Sequence, residues 1–184
     1  MLTLVLGGAR SGKSRYAQSL CVDSRSVIFL ATARDEGDPE MRSRIDRHRA
    51  ERSERSDQSE QWKTIEEPLA VVGVVRESEP SVTILLDCVT TWLANLAWEH
   101  RSLSARELQN LVIEEVSSLA AVAKGREVIA VSNEVGSGIV PDHPSGRHFR
   151  DLQGVANQFL AQEAVRVVLM VSGLPLTLKD ERSR

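Results

Sequence analysis

The chain has 184 residues, of which 41% are hydrophobic and 27% charged, a composition typical of one soluble globular domain. A formal net charge of −3 and an aromatic content of only 4% argue against a basic, base-stacking nucleic-acid binder. Two cysteines, Cys21 and Cys88, are too few for a disulfide framework or a zinc site. No apolar run reaches the roughly 18 residues of a membrane span, and none resembles a signal peptide, so we expect a cytoplasmic protein.

Short continuous apolar runs, rich in Val, Ile and Leu, recur along the sequence. Such runs are typical of strands that are buried on both faces of a parallel sheet. They cover Leu2–Leu6, Val27–Ala31, Val82–Leu86, Glu127–Val131 and Val165–Val171. A last run, Pro175–Leu178, predicts a short C-terminal edge strand.

Helical patterns separate these runs. The first covers Arg15–Leu20. The clearest begins at Ser104, which forms a predicted capping box with Glu107, and it ends at Gly125. Another helix is predicted between about residues 146 and 164. Strands that alternate with helices in this way predict an α/β sandwich with a mainly parallel central sheet.

The eight residues after the first predicted strand match the pattern G-x-x-x-x-G-K-[ST] and open a helix. Backbone N–H groups and a helix N-terminus bind phosphate oxygens in such a loop. Lys13 would reach the β- and γ-phosphates, and Ser14 would offer its hydroxyl to Mg²⁺. The predicted nucleotide-binding residues here are Gly7, Gly8, Ala9, Arg10, Ser11, Gly12, Lys13 and Ser14.

Carboxylates at strand ends are candidates for a second metal ligand. Asp87 ends the third predicted strand, and we expect a strand neighbouring the P-loop to bring it beside Ser14. Glu134 is a weaker candidate that could equally occupy a surface turn. The sequence thus predicts a P-loop protein that binds a nucleoside triphosphate with Mg²⁺ and transfers a phosphoryl group, without a tightly bound redox cofactor.

The segment Arg34–Glu60 differs from the rest, because 16 of its 27 residues are charged. This composition favours a solvated or partly disordered excursion. We interpret it as an insertion over about residues 34–61 in a single domain of residues 1–184. If the segment is helical, His48 shares a face with its only large apolar residues, Met41 and Ile45.

An imidazole on that face could be a proton shuttle or a nucleophile toward phosphorus. A lone histidine on a charged helix can also be incidental, so this pattern leaves the role of His48 open.

Several further blocks occur in order over almost the whole chain, and with the P-loop they resemble the bifunctional adenosylcobinamide kinase/adenosylcobinamide-phosphate guanylyltransferase family of cobalamin biosynthesis. The blocks are Phe29–Ala33, Met41–Arg49, Trp62–Glu67, Leu85–Thr91, Ser132–Pro141, His148–Asp151 and Val171–Pro175. The resemblance implies a P-loop NTPase (RecA-like) fold. One departure is the bridge Ser53–Gln61, which is longer than is usual in the family and lacks its proline.

The resemblance also implies two reactions: ATP or GTP phosphorylates adenosylcobinamide, and GMP then passes from GTP to adenosylcobinamide phosphate through a GMP–histidine intermediate. It implies Mg²⁺ as the metal and a homo-oligomer, with a trimer as the favoured form. His48 matches the family's histidine and Lys13 its P-loop lysine, so these are the expected catalytic residues. The other expected nucleotide contacts are Ala31, Thr32, Ala33, Arg49, Ala50, Glu51, Arg52, Glu66 and Asp87.

Two alternatives stay open at this point. The chain could be another small P-loop kinase, in which the charged segment forms a lid that brings arginines to the phosphates. It could also be a nucleotide-dependent switch whose charged segment docks a protein partner.

Overall fold

The structure is a computed structural model that describes residues 1–34 and 61–182. Within them the chain forms seven strands and five helices. The predicted charged insertion, with the helical face proposed for His48, therefore lies outside the described residues. The strands are β1 (Leu2–Gly7), β2 (Val27–Ala31), β3 (Trp62–Glu66), β4 (Thr83–Asp87), β5 (Val128–Asn133), β6 (Arg166–Val171) and β7 (Leu174–Asp180). The helices are α1 (Lys13–Ser19), α2 (Val71–Glu77), α3 (Val89–Glu99), α4 (Ala105–Val122) and α5 (Pro144–Glu163).

All seven strands belong to one sheet, in the order β3-β2-β4-β5-β1-β6-β7. Every adjacent pair is parallel except β6 and β7, which are antiparallel. The predicted mainly parallel α/β sandwich is therefore confirmed. The last strand is longer than the predicted Pro175–Leu178, because it pairs with β6 from Leu174 to Asp180. The carboxyl ends of the six parallel strands meet at one edge, where ligands bind in such sheets.

Helices cover the sheet on both faces, and the alternation of side chains along β1 shows the two layers. Val5 packs in a cluster with Ala17 of α1, whereas Leu4 and Leu6 pack in a second cluster with residues of α2, α3, α4 and α5. Successive side chains of a strand point to opposite faces. Helix α1 therefore covers one face and the other four helices cover the opposite one.

Helix α4 begins as the sequence predicts. The Ser104 hydroxyl accepts a hydrogen bond from the Glu107 amide, and the Glu107 side chain accepts one from the Ser104 amide. The Ser104 hydroxyl also donates to the Glu107 carboxylate, and this bond, together with the bond from the Ser104 amide, holds the pKa of Glu107 below its usual value. The helix ends at Val122, three residues before Gly125, which lies in the following turn without a left-handed φ. The prediction that Gly125 ends the helix is therefore wrong.

Three elements were not predicted from periodicity: β3, α2 and α3. β3 is a partly exposed edge strand without an apolar run. α2 is short and consists mainly of valine, which by propensity favours strands, yet its buried residues Val71, Val72 and Val75 have helical spacing. No helix in residues 1–34 and 61–182 is long and apolar enough to cross a membrane.

Candidate active site

The predicted P-loop joins β1 to α1 at the carboxyl edge of the sheet. Its first and sixth residues need glycine: Gly7 has φ +152° and Gly12 has φ +95°. A Cβ atom at Gly7 would lie 2.6 Å from the Ser11 hydroxyl oxygen and 2.7 Å from the Met170 carbonyl oxygen. The loop can therefore curl tightly against β6 only because no side chain is present at this position.

The side chain of Lys13 lies across this loop. Lys13 is 8% exposed, and its Nζ donates a hydrogen bond to the Gly8 carbonyl oxygen at 2.5 Å. Burial lowers the pKa of Lys13, while Cys88 and Asp87 act in the opposite direction. A cation that is shielded from water at the start of α1 is an environment that favours a bound phosphate.

Asp87, Ala31 and Glu66 lie side by side at the ends of three adjacent strands. Ala31 is in register with Asp87 on β4 and with Glu66 on β3. The structure thus brings these three predicted nucleotide contacts to the same edge as the P-loop. The expectation that Asp87 ends a strand next to the P-loop strand is wrong, because β5 lies between β4 and β1. The carboxylate nevertheless acts electrostatically on Lys13.

The predicted contacts Ala31, Thr32 and Ala33 form the end of β2 and the segment after it. Thr32 is fully buried, and its hydroxyl both donates to the Cys88 carbonyl oxygen and accepts from the Cys88 amide. The Asn95 amide of α3 donates to the Thr32 carbonyl oxygen at 2.8 Å and to the Pro68 carbonyl oxygen at 3.0 Å. These bonds fix the position of the segment relative to the end of β4. No sequence pattern identified Asn95.

Glu134, the weaker metal-site candidate, lies directly beside the P-loop. Its backbone amide donates to the Gly7 carbonyl oxygen at 3.0 Å, and its carboxylate accepts the Gly136 amide at 3.1 Å. The side chain therefore takes part in a local turn, as the alternative interpretation of this residue expected.

A buried polar network behind Glu134 was not predicted from the sequence. The Ser132 hydroxyl at the end of β5 donates to the Asn157 side-chain oxygen at 2.7 Å and accepts from the Gln153 amide at 2.9 Å. The Asn157 amide donates to the Asn133 carbonyl oxygen at 3.0 Å. The only sequence signal was the spacing of four between two amide residues on α5, which is also common on exposed helix faces.

Five predicted site residues lie outside the described residues: His48, Arg49, Ala50, Glu51 and Arg52. The described part of the predicted site is therefore the P-loop of residues 7–14, which we call the phosphate cradle for its predicted role, and the row formed by Glu66, Ala31 and Asp87. Arg34, the last described residue before the insertion, follows β2 at the same carboxyl edge and pairs with Glu99 of α3, with 3.9 Å between Nη1 and Oε2.

Comparisons with known proteins agree with this arrangement. A sequence model of the family described as "Cobinamide kinase / cobinamide phosphate guanyltransferase" matches residues 3–178. The chain is 38% identical over 187 residues to the bifunctional adenosylcobalamin biosynthesis protein CobU of Escherichia coli, with 97% of this chain and all of that protein covered. It is 42% identical over 185 residues to CobP of Pseudomonas aeruginosa, which has the same description, with 98% and 99% covered. For CobU of Salmonella typhimurium the identity is 35% over 192 residues, with 97% and 100% covered. The chain belongs to the cobinamide kinase/cobinamide phosphate guanyltransferase family, which consists of transferases.

Proposed function

We propose that this protein phosphorylates adenosylcobinamide with ATP or GTP and then transfers GMP from GTP to adenosylcobinamide phosphate, giving adenosylcobinamide-GDP and pyrophosphate. The observation that carries the proposal is the placement of a complete P-loop and the Glu66–Ala31–Asp87 row at one sheet edge. The chain also aligns with bifunctional relatives over nearly its full length. A single nucleotide site serves both reactions in this proposal.

In the kinase step the P-loop holds the nucleotide phosphates. The acceptor hydroxyl oxygen bonds to the γ-phosphorus, the bond from that phosphorus to the β,γ-bridging oxygen breaks, and the hydroxyl proton passes to water. Lys13 stabilises the negative charge that develops on the transferred group, since its side chain is shielded from water.

Ser14 and Asp87 are the residues that would hold Mg²⁺. Their hydroxyl and carboxylate oxygens are the hard donors that this ion prefers, and Mg²⁺ commonly takes only one or two protein ligands, with water and phosphate completing its shell. Among residues 1–34 and 61–182, no three His, Cys, Asp or Glu side chains form a cluster for a metal, which fits an ion that arrives with the nucleotide. When bound, Mg²⁺ neutralises charge on the phosphates.

In the guanylyltransferase step we assign the nucleophile to His48. Its imidazole nitrogen bonds to the α-phosphorus of GTP, and pyrophosphate leaves as the bond to the α,β-bridging oxygen breaks. A phosphate oxygen of the acceptor then attacks the same phosphorus, and the P–N bond breaks to restore the imidazole. We propose that Arg49–Arg52, Ala31–Ala33 and Glu66 contact the guanine nucleotide.

We further propose that residues 1–184 form one domain and that the protein is a cytoplasmic homo-oligomer, with a trimer as the favoured form. An exposed apolar row on the edge strand β7 supports association: Leu174, Leu176 and Leu178 alternate along the strand and are each more than half exposed. Rows of this kind are uncommon on monomeric proteins. Sedimentation of the wild-type protein and of Leu176→Glu tests this part of the proposal, because a charge in the row should dissociate the oligomer.

A product assay with adenosylcobinamide tests the two activities. We expect adenosylcobinamide phosphate with either ATP or GTP, and adenosylcobinamide-GDP only when GTP is present. Lys13→Ala should lose at least about 100-fold in both rates, while Lys63→Ala, an exposed lysine on β3, should keep both. Phosphorylation of a nucleoside monophosphate but not of adenosylcobinamide would favour the simple kinase instead. Slow hydrolysis without any small acceptor would favour the switch.

A further inference from the structure

Helix α5 presents a polar face to the carboxyl edge of the sheet. Arg150, Gln153 and Asn157 follow each other at spacings of three and four, which places them on one side of a helix. Asn157 contacts Asn133, and Asn133 is in register with Gly7, where the P-loop begins. The polar face of α5 therefore starts at the level of the phosphate cradle.

Arg150 lies beyond the strand ends. Helix α5 runs antiparallel to the parallel strands, because its C-terminal end leads directly into β6 at the opposite edge, where the Val165 amide donates to the Leu2 carbonyl oxygen. The Gln153 amide donates to the hydroxyl of Ser132, the second-last residue of β5. Arg150 is three residues closer to the helix N-terminus, which corresponds to about 4.5 Å further along the axis. Its Cα is therefore on the ligand side of the sheet edge.

Two atoms of this face are buried and have no hydrogen-bond partner among the described residues: Nη1 of Arg150 and Oε1 of Gln153. Gln153 as a whole is fully buried. A cationic donor that is shielded from water without a partner is costly, and such groups in native proteins call for an explanation. Arg147, one turn earlier, differs in this respect, because its Nη1 donates to the carbonyl oxygens of Pro141 and Asp142.

The ligand that fits an arginine with an unpaired N–H donor at a phosphate-transfer site is a phosphate. It could belong to the nucleotide or to the acceptor substrate. In the proposed function, the nucleotide phosphates bind to the P-loop, Lys13 and the N-terminus of α1. Arg150 comes from the opposite helical layer of the sandwich, since α5 packs with Leu4 and Leu6 and α1 packs with Val5. It therefore approaches the site from the side away from α1.

We propose that Arg150 binds the phosphate group of the phosphorylated acceptor. This inference rests on the proposed function, and it identifies a residue that distinguishes adenosylcobinamide phosphate from adenosylcobinamide. The P-loop does not have to make that distinction. Because the predicted role of Arg150 is in binding, its replacement should change the affinity for the phosphorylated acceptor.

The test is equilibrium binding of adenosylcobinamide phosphate and adenosylcobinamide, each titrated separately without nucleotide into the wild type, Arg150→Gln and Arg150→Lys. The control is Arg147→Gln, which removes a hydrogen-bonded arginine from the same helix. We expect the wild type and the control to prefer the phosphorylated compound by about 10- to 100-fold, the range for a hydrogen bond to a charged group. Arg150→Gln should lose most of that preference. Arg150→Lys should retain an intermediate preference, because it keeps the charge but not the fork of donors.

The KM for GTP in guanylyl transfer distinguishes the two sources of phosphate, the nucleotide and the acceptor. Thermal unfolding of each variant identifies any that fail to fold. An unchanged preference in folded Arg150→Gln would overturn the inference, as would a rise in the KM for GTP with no change in acceptor binding. If Arg150→Gln does not fold, the preference of Arg150→Lys decides: a value equal to that of the wild type overturns the inference. A wild-type protein that makes neither product would contradict the proposed function, whereas product formation with an unchanged preference contradicts only the role of Arg150.

Discussion

Thr32 and Cys88 are joined by two hydrogen bonds that share one hydroxyl group. Thr32 Oγ1 donates to the Cys88 carbonyl oxygen at 2.8 Å and accepts from the Cys88 amide at 3.0 Å. The two residues directly follow Ala31 and Asp87, which are in register on adjacent strands. This pair therefore fixes the distance between the segment after β2 and the carboxylate that we assign to the metal.

Two replacements of Thr32 should differ in their effect on stability, because only one of them keeps the hydroxyl group. Thr32→Val keeps the shape but leaves the Cys88 amide and carbonyl without their partner, so we expect a loss of about 1–3 kcal/mol in the free energy of unfolding and a higher KM for GTP. Thr32→Ser keeps the hydroxyl and should lose less on both counts. Urea unfolding and steady-state kinetics measure the two effects. Equal stability of the two variants would show that the shared hydroxyl does not matter.

Gly7 should tolerate no side chain, whereas the adjacent Gly8 should. A Cβ at Gly7 would collide with the Met170 carbonyl oxygen and with Ser11, while at Gly8 it would meet no heavy atom within 4 Å. We expect Gly7→Ala to lose about 2 kcal/mol or more in the free energy of unfolding, and Gly8→Ala to stay within about 0.5 kcal/mol of the wild type. Chemical denaturation without nucleotide provides the comparison. A Gly7→Ala protein as stable as Gly8→Ala would contradict the described packing of the loop against β6.

Nucleotide binding should weaken at alkaline pH through Lys13. Burial lowers its pKa below the ordinary 10.5, so in the nucleotide-free enzyme the ammonium group loses its proton at a lower pH than an exposed lysine does. The phosphates bind the charged form, and the affinity for GTP should therefore fall as the pH rises through this lowered pKa. Lys13→Arg stays charged throughout, and its weaker affinity should change less over the same range. Calorimetric titration with GTP at increasing pH makes the comparison, and parallel pH profiles for both proteins would contradict the assignment.

The lowered pKa of Lys13 affects the free energy of unfolding in the opposite direction. Between the lowered pKa of Lys13 and 10.5, the unfolded chain binds more protons at this residue than the folded chain does. The contribution of Lys13 to the free energy of unfolding therefore becomes more favourable as the pH rises through that window.

The sequence predicted those parts of the fold in which local pattern and burial agree. The five buried strands are continuous apolar runs, and the Ser104 capping box marks the start of α4. The strand order has no local signal, so the position of β5 between Asp87 and the P-loop could not be predicted. The edge strand β3 and the valine-rich α2 were missed because tertiary packing, and not propensity, determines their conformation.

The site shows the same division. The loop between β1 and α1 could be located residue by residue, because the spacing of a P-loop follows directly from how a backbone encloses phosphate. Phosphate binding by this loop stays a prediction. Gln153 and Asn157 were not, since polar side chains on a helix usually face solvent, and only the folded structure shows that they are buried against Ser132. Arg150 could be singled out only once its Nη1 was known to be buried without a partner among the described residues, whereas Nη1 of Arg147 is hydrogen-bonded.

We have proposed that His48 carries GMP between GTP and the acceptor, and covalent labelling can detect this intermediate. The wild type, His48→Ala and His100→Ala are each incubated with GTP labelled at the α-phosphate, without acceptor, and isolated under alkaline conditions. We predict label on the wild type and on His100→Ala that is stable to alkali and released by acid, as expected of a phosphoramidate, and none on His48→Ala. Absence of label from the wild type, or its persistence on His48→Ala, would show that His48 is not the nucleophile.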